Sequence, residues 1–444
     1  MRAGVEFTFK IIVLCLGGVG LAACGTSGTS APPIVVSQPD PPEIEPLPEP
    51  EEGEAGSYDR RGYVRPEHMG RTEPVRVGLL LPFSASSQAA QKVASSMFDA
   101  AQLALFDAGD DRFLLIPKDT RGTPEGAAAA ARSALADGAE IILGPLFSES
   151  VEAAAQVTRA ADVSMIAFSS DLGTAGDGVF LLSFPPEVEI ARVTDFAVSQ
   201  NLVRFGVLAP MTEYGDRVSR SFSQEVFERG GTIVHEERYE QEPDAMLAPA
   251  KRLARYSREV IPAEMRHDYD PNTEQQSHGD AGYTQGFQAV LMPEQGTLLR
   301  ALAPLLPYYN VNINRVKILG VSSWNNPRLT REPALRGGWF AAPDPEITRN
   351  FENRFAGAFG APPPRLASLA YDATLLTARL ATNPRRRDRF STQAITDGNG
   401  YYGADGLFRI NSDGTVERGL AILEIQPGGI QVVDPAPRSF APGY

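Results

Sequence analysis

The chain has 444 residues, 43% of them hydrophobic, which is enough to bury two cores. Its 41 basic and 55 acidic residues give a net charge of -14. This argues against a nucleic-acid partner, because nucleic-acid recognition needs a basic face. The cysteines are Cys15 and Cys24, so the chain beyond them can form no disulfide, cysteine metal site or cysteine nucleophile.

The first 24 residues have the pattern of an export signal. Arg2 and Lys10 supply positive charge, and residues 11–21 form an apolar stretch too short to span a bilayer as a mature helix. Leu21-Ala22-Ala23-Cys24 then matches a bacterial lipobox, in which the cysteine receives lipid. We expect cleavage after residue 23 and lipidation of Cys24, the alternative being an ordinary signal peptide with an incidental cysteine. Gly25 follows Cys24, and by resemblance to Gram-negative lipoproteins this favours the outer membrane, on its periplasmic face.

Residues 24–74 have no periodic apolar pattern. They are rich in proline and glutamate, as in the run Pro46-Leu47-Pro48-Glu49-Pro50-Glu51-Glu52. Such a composition cannot build a core and is stiffened by proline, so it predicts a disordered, semi-extended tether.

The predicted elements of the body alternate between strand and helix. The first is the apolar run Val75-Arg76-Val77-Gly78-Leu79-Leu80-Leu81, typical of a buried parallel strand. The elements that follow are a helix at 86–108, a strand at 113–116, a helix at 125–137, a strand at 141–143, a helix at 148–161 capped by Ser148, and strands at 164–168 and 179–184.

After Pro185-Pro186 the alternation restarts. The predicted helices lie at 187–200, 215–229, 244–258 and 296–306, and the predicted strands at 205–209, 232–236, 289–292 and 316–319. A helix at 367–381 and a hairpin at 406–425, turning at Asn411-Ser412-Asp413-Gly414, complete the body. The polar stretch 261–286 is interpreted as a long surface loop. This pattern predicts an α/β fold of two lobes, each with a parallel sheet.

The order of these elements resembles that of type I periplasmic binding proteins, the family of leucine/isoleucine/valine receptors. The motifs that carry the resemblance are Leu81-Pro82-Phe83-Ser84, Lys118-Asp119-Thr120, Gly144-Pro145-Leu146-Phe147-Ser148, Tyr214-Gly215 and Gly406-Leu407-Phe408. It implies two Rossmann-like lobes joined by a hinge with three crossings, near Pro185, Pro343 and Gly403. We therefore expect a first lobe of 75–185 plus 344–403, a second lobe of 186–343 plus 404–431, and a C-terminal tail at 432–444.

Ligands of such sheets bind beyond the carboxyl ends of the strands. The resemblance implies that hydroxyl groups there hold a carboxylate and an acid holds an ammonium group, with Asp171 or Glu294 as candidate acids. The candidate ligand-binding residues are Ser84, Ser148, Ser169, Ser170 and Tyr214. Serines at strand ends are also ordinary helix caps, so this alternative stays open.

Two functions follow from the resemblance. The lipobox, the tether and the cysteine-free body look most like penicillin-binding protein activators, which are outer-membrane lipoproteins that stimulate a peptidoglycan synthase. The alternative is the substrate-binding receptor of an ABC importer for amino acids or related solutes. No nucleophile elbow, phosphate loop or zinc-protease motif occurs, so we expect no enzyme and no cofactor.

The lipobox makes the first prediction. Cys24→Ser should remove lipid from the protein and release it from the membrane fraction, because the serine oxygen does not replace the acceptor sulfur. Metabolic labelling with a fatty acid, followed by fractionation of inner and outer membranes, measures both effects. Label that persists on the Cys24→Ser protein would contradict the lipobox, and wild-type protein in the inner membrane would contradict the sorting.

Overall fold

A computed structural model of the protein describes residues 74–110, 112–257 and 286–440. Cys24, the predicted signal and tether, and the predicted loop at 261–286, except its last residue, lie outside these ranges. Among the described residues, no helix combines the length and the apolar character needed to cross a membrane.

The first part of the chain builds a five-stranded parallel sheet in the order β2-β1-β3-β4-β5. Its strands alternate with helices that bury alanine-rich faces against both sides of the sheet. The elements are β1 (Val75–Leu81), α1 (Gln88–Ala108), β2 (Phe113–Asp119), α2 (Pro124–Ala136), β3 (Ile141–Leu143), α3 (Ser148–Ala160), β4 (Met165–Ala167) and β5 (Val179–Leu181).

The second part builds the parallel strands of a larger sheet. Its elements are α4 (Pro186–Ser199), β6 (Arg204–Pro210), α5 (Glu213–Glu228), β7 (Thr232–Tyr239), α6 (Leu247–Ala254), β8 (Ala289–Leu291), α7 (Gly296–Leu302), α8 (Leu305–Tyr308), β9 (Lys317–Gly320) and β10 (Trp339–Ala342). The strands β7, β6, β8, β9 and β10 are neighbours in that order, all parallel. Their core includes Phe205, Phe222, Trp324 and Phe340.

The chain then returns to the first lobe. The elements are α9 (Pro345–Phe359), α10 (Ala367–Ala381), α11 (Thr392–Ile395), β11 (Tyr401–Gly403), β12 (Gly406–Ile410) and β13 (Val416–Arg418). Helix α10 packs against α1, and β11, β12 and β13 form a small antiparallel sheet. Tyr401, Phe408, Ile410 and Val416 are buried in the first-lobe core.

The last two strands belong to the second lobe. They are β14 (Ala421–Gln426), antiparallel to β10, and β15 (Gly429–Asp434), antiparallel to β14. These strands complete the seven-stranded sheet in the order β15-β14-β10-β9-β8-β6-β7. The two lobes, their parallel sheets and the tight turn at 411–414 are therefore as predicted.

The structure corrects two boundaries predicted from the sequence. The sequence predicts that 406–418 belongs to the second lobe. Its apolar side chains instead lie in the first-lobe core. The third crossing therefore lies at Arg418–Ala421 rather than near Gly403. The predicted tail at 432–444 begins within β15, because its backbone pairs with β14. The single predicted hairpin at 406–425 is thus two elements in two lobes.

Arg418 joins the first and third crossings. Its Nε donates a hydrogen bond of 2.7 Å to the carbonyl oxygen of Ser183. Its guanidinium lies 4.4 Å from the ring centroid of Phe184 and 5.7 Å from that of Phe408. Burial lowers the pKa of Arg418, and the carboxylates of Asp405 and Asp372 oppose this shift.

The two phenylalanines of helix α5 provide a matched test of the second-lobe core. Phe222 is 0% exposed and its ring meets that of Phe205 at 5.4 Å between centroids, whereas Phe227 is 79% exposed. Phe222→Ala should lower the free energy of unfolding by about 3–5 kcal/mol, because it leaves a cavity. Phe227→Ala should change it by less than about 0.5 kcal/mol. Urea unfolding measures both, and equal effects would contradict this packing.

Candidate functional site

A cavity of about 300 Å³ lies between the two lobes. The second lobe contributes residues that follow the carboxyl ends of β6, β7, β8 and β9, where ligands of parallel sheets bind. The first lobe contributes residues beyond β4 and β5 and ahead of α10. The lining consists of Ser170, Phe184, Pro186, Glu189, Tyr214, Arg217, Gln241, Pro293, Glu294, Gln295, Val321, Ser322, Ser323, Arg365 and Leu366.

Glu294 is a buried carboxylate in the wall of the second lobe. It accepts hydrogen bonds from the hydroxyl of Tyr239 at 2.9 Å, from the backbone N–H of Gln295 at 2.9 Å and from Nε2 of Gln241 at 3.2 Å. Its backbone oxygen accepts from Nε1 of Trp324 at 2.9 Å. Burial, followed by the Glu294 carboxylate, raises the pKa of Tyr239, so that hydroxyl remains a donor. Glu294 is therefore fixed by the protein itself.

Glu189 is a second buried carboxylate, on the first turn of α4. It accepts from the backbone N–H of Ser322 at 2.9 Å and from the Ser322 hydroxyl. Nη2 of Arg365 lies 3.5 Å from Oε1 of Glu189, at the limit of hydrogen bonding. Burial raises the pKa of Glu189, and the charge of Arg365 offsets part of that shift. This pair also connects the lobes, since Arg365 belongs to the first and Glu189 to the second.

Arg217 forms a second connection between the lobes. Its guanidinium pairs with both carboxylate oxygens of Glu187, a bidentate geometry that holds both side chains in place. Its Nη2 also donates to the backbone oxygen of Ser170 in the first lobe at 2.6 Å. Most of this arginine's hydrogen-bonding capacity is therefore used within the protein.

Arg365 differs from Arg217 because it is weakly engaged. Its guanidinium lies 4.2 Å from the ring centroid of Phe184, and its side chain is 40% exposed. Across the described residues, the contact to Glu189 is the one ion pair that its N–H groups make. Four of the five guanidinium N–H donors thus have no hydrogen-bond partner among the described residues.

Tyr214 stands on the first turn of α5, where Thr212 caps the helix by accepting from the N–H of Gly215 at 3.1 Å. Burial raises the pKa of Tyr214, and the carboxylates of Glu189 and Glu294 add to the effect. Two carboxylates of this wall, Glu189 and Glu294, therefore act on the Tyr214 hydroxyl, and Arg365 lies beside Glu189.

A second cavity of about 240 Å³ lies on the other side of Arg365. Ser322, Ser323 and Arg365 line both cavities. The remainder of its wall includes Pro343, Phe351, Glu352 and Asp405. The Arg365 side chain is therefore part of the wall of both cavities.

The structure places two of the five predicted ligand-binding residues at the cavity. Ser170 and Tyr214 line it, as does the candidate acid Glu294. Ser84 instead donates its hydroxyl to Asp119 at 2.5 Å, and Ser169 is buried, its hydroxyl accepting from the N–H of Asp171 at 3.1 Å.

Two further candidate residues, Ser148 and Asp171, belong to the starts of helical segments and do not line the cavity. Ser148 is the first residue of α3 rather than its cap, because Phe147 occupies the cap position and no side chain caps this helix. Asp171, the other candidate acid, accepts from the N–H of Gly173 at 3.0 Å and caps a short helical turn.

Sequence reasoning missed polar and charged residues of the cavity lining, among them Glu189, Arg217, Gln241, Ser322 and Arg365. Arg365 follows Pro362-Pro363-Pro364 and precedes α10, with no local motif that marks it. Glu187 and Glu189 lie on the first turn of α4, the helix predicted at 187–200, and Pro186 marks its start.

Comparison with known proteins supports the fold. Residues 74–255 match the sequence profile of the family described as periplasmic binding protein. A protein of Rhodospirillum rubrum assigned to a branched-chain amino acid ABC transporter has a TM-score of 0.65 at 16% identity, over 81% of this chain and 100% of that one. The fold is that of type I periplasmic binding proteins, as the sequence predicted.

Two similar structures contain small ligands. An ABC transporter substrate-binding protein of Desulfitobacterium hafniense, in complex with Leu, has a TM-score of 0.55 at 16% identity, over 81% of this chain and 100% of that one. A solute-binding protein of an ABC transporter from R. palustris, in complex with benzoate, has a TM-score of 0.54 at 14% identity, over 83% and 98%. An uncharacterised protein of Rickettsia prowazekii is 24% identical over 115 residues, and the match spans 26% of this chain and 31% of that protein.

The buried Glu189 carboxyl gives a pH prediction. Because its pKa is raised above the ordinary value of 4.5, the folded protein binds this proton more tightly than the unfolded chain does. Stability is therefore lost as the pH rises above about 4.5, and Glu189→Gln should remove that loss. The melting temperature of the variant, relative to wild type, should rise between about pH 4 and pH 8.

Glu152→Gln is the control for this prediction, since Glu152 is exposed on α3. Its melting temperature should follow that of the wild type across the same pH range. A Glu189→Gln variant that becomes less stable with rising pH would show that the ion pair with Arg365 outweighs burial.

Proposed function

We propose that the protein is a periplasmic solute-binding protein that closes its two lobes on a small ligand carrying an anionic group. The observation that carries the proposal is the weakly engaged guanidinium of Arg365 in an interlobe cavity of about 300 Å³. This volume lies at the lower end of the range of about 300–1,000 Å³ for ligand pockets, which suits a small solute.

The chemistry of the cavity favours a ligand with two kinds of polar group. A carboxylate would bind the fork of N–H donors on Arg365, the arrangement that arginine uses for carboxylates elsewhere. The hydroxyls of Ser170 and Tyr214 would supply further hydrogen bonds. The carboxyl groups of Glu189 and Glu294 in the same lining would favour a positively charged or donor group. Leucine and benzoate, the ligands of two similar structures, both carry a carboxylate, which supports this choice.

In this proposal the protein is not an enzyme. The described residues contain no group of three or more histidine, cysteine or acidic side chains that could hold a metal ion. Glu187 pairs with Arg217, and Glu189 accepts hydrogen bonds from the backbone N–H and the hydroxyl of Ser322. We further propose that the lipid on Cys24 and the tether at 24–74 hold the body in the periplasm, where an importer would receive the ligand.

One observation favours a second candidate, a protein that stimulates a peptidoglycan synthase. Two carboxylates of the cavity lining are already held by the protein, Glu294 by Tyr239 and Glu189 by Ser322, and the lining residue Arg217 is held by Glu187. Such a cavity is stable without a ligand, as expected of an interaction protein that has kept the fold. The outer-membrane anchor predicted from Gly25 would suit this role better than that of an importer's receptor.

Arg365→Gln tests the first candidate. Leucine and benzoate are the probes, and their neutral amides, leucinamide and benzamide, are the matched comparison. A carboxylate probe at a hundred times its dissociation constant should stabilise the wild type by about 2.7 kcal/mol. The amide at the same concentration should stabilise it much less, because it binds more weakly. Arg365→Gln should weaken binding by about 10-fold to 100-fold, because a charge-assisted hydrogen bond contributes about 1.5–3 kcal/mol. Thermal shift and calorimetry measure both.

Arg132→Gln is the control, because Arg132 is exposed on α2 and does not line the cavity. Binding of the amides as strongly as the acids would contradict the role of Arg365. If no probe binds the wild type, but its immobilised body retains a peptidoglycan synthase from envelope extract, the second candidate is favoured.

A further inference from the structure

The C-terminal segment leaves the second lobe at a fixed point. Asp434, the last residue of β15, forms an ion pair with Arg192 on α4. The same arginine donates through Nε to the backbone oxygen of Leu420 at 2.9 Å, within the third crossing. Ala436 packs against the second-lobe core. The start of the segment is therefore held beside the hinge.

The segment then passes onto the first lobe. Pro437 lies against Gly419, so close that a Cβ on that glycine would stand 3.1 Å from Cγ and 3.2 Å from the oxygen of Pro437. Phe440 covers the hairpin of β11 and β12. Its ring centroid lies 4.6 Å from the guanidinium of Arg409, and a Cβ on Gly400 would stand 3.1 Å from its ring atoms.

We infer that residues Pro435–Phe440 are a strap that joins the second lobe to the first and restrains the angle between them. The chain makes three covalent crossings between the lobes. The strap adds a fourth connection, which is held on the first lobe by the contacts of Phe440. Six residues span at most about 20 Å when fully extended. Pro435 and Pro437 each fix a φ angle, which reduces the slack of the segment.

The strap begins beside the hinge, where Arg192 pairs with Asp434 and donates to the backbone oxygen of Leu420. Domain closure in two-lobed proteins is a rotation about a few hinge residues. Movement of the lobes must therefore stretch the path from Asp434 to Phe440 or detach Phe440 from Arg409.

Two variants release the strap at different points. Gly419→Ala displaces Pro437 by a few tenths of an ångström, because the new methyl group would stand 3.1 Å from its Cγ, and Gly428→Ala is its control, since no atom lies within 4 Å of a Cβ at Gly428. Phe440→Ala removes the ring from the first lobe, and Phe440→Tyr retains a ring there. Phe106→Ala, at a position 79% exposed on α1, controls for loss of an aromatic side chain.

The measurement is the distance between spin labels on the two lobes, by double electron–electron resonance of the full chain. Labels are attached to Ser133→Cys on α2 and Lys251→Cys on α6, both exposed. Cys15→Ser and Cys24→Ser make these labels unique.

We expect a single narrow distance distribution for the wild type and for the Gly428→Ala, Phe106→Ala and Phe440→Tyr variants. Gly419→Ala and Phe440→Ala should each broaden it, or add a second maximum displaced by more than about 2 Å. Circular dichroism at the labelling temperature confirms that all variants are folded. Unchanged distributions in both Gly419→Ala and Phe440→Ala, with folding intact, would overturn the strap. Equal broadening in the control variants would do so as well.

Discussion

The contact on which the two-lobed structure depends is that of Arg418 with the first crossing. A buried guanidinium is costly unless its charge is compensated. Here the carbonyl of Ser183, the faces of Phe184 and Phe408, and the charges of Asp405 and Asp372 offset part of that cost, while Nη1 and Nη2 of Arg418 have no hydrogen-bond partner among the described residues. Because Arg418 lies in the third crossing and Ser183 before the first, the hydrogen bond holds the two crossings together. Burial, followed by the charge of Asp405, raises the pKa of Asp372, and the charge of Arg418 opposes that shift.

Phe184 connects this contact to the cleft, because it packs against Arg418 and also lines the cavity. The guanidinium groups of Arg418 and Arg365 both lie against its ring. Arg365 also borders the interlobe cavity and approaches Glu189 of the second lobe. A cation near an aromatic face contributes about 0.5–2 kcal/mol, the larger figure where water is excluded. The cleft and the hinge therefore share the ring of Phe184.

The two lobes could be predicted from the sequence, because local patterns specify their strands and helices. The apolar run at Val75–Leu81, the alternation of strands and helices, and the turn at 411–414 depend on neighbours along the chain. The assignment of 406–418 was wrong for the opposite reason. Its strand pattern is the same whether its apolar side chains face one core or the other, and contacts with residues far away in the chain decide between them.

The sequence by itself determined the α/β alternation, the two lobes and two of the residues that line the cleft, Ser170 and Tyr214. These follow strand or helix ends, and a parallel sheet places such positions at one edge. Tertiary structure alone decided the rest. Ser84 and Ser169 turn to partners of their own, while Glu189, Arg217 and Arg365 meet at the cavity from three distant parts of the chain. Charged side chains find their partners through space, and no local pattern records that proximity.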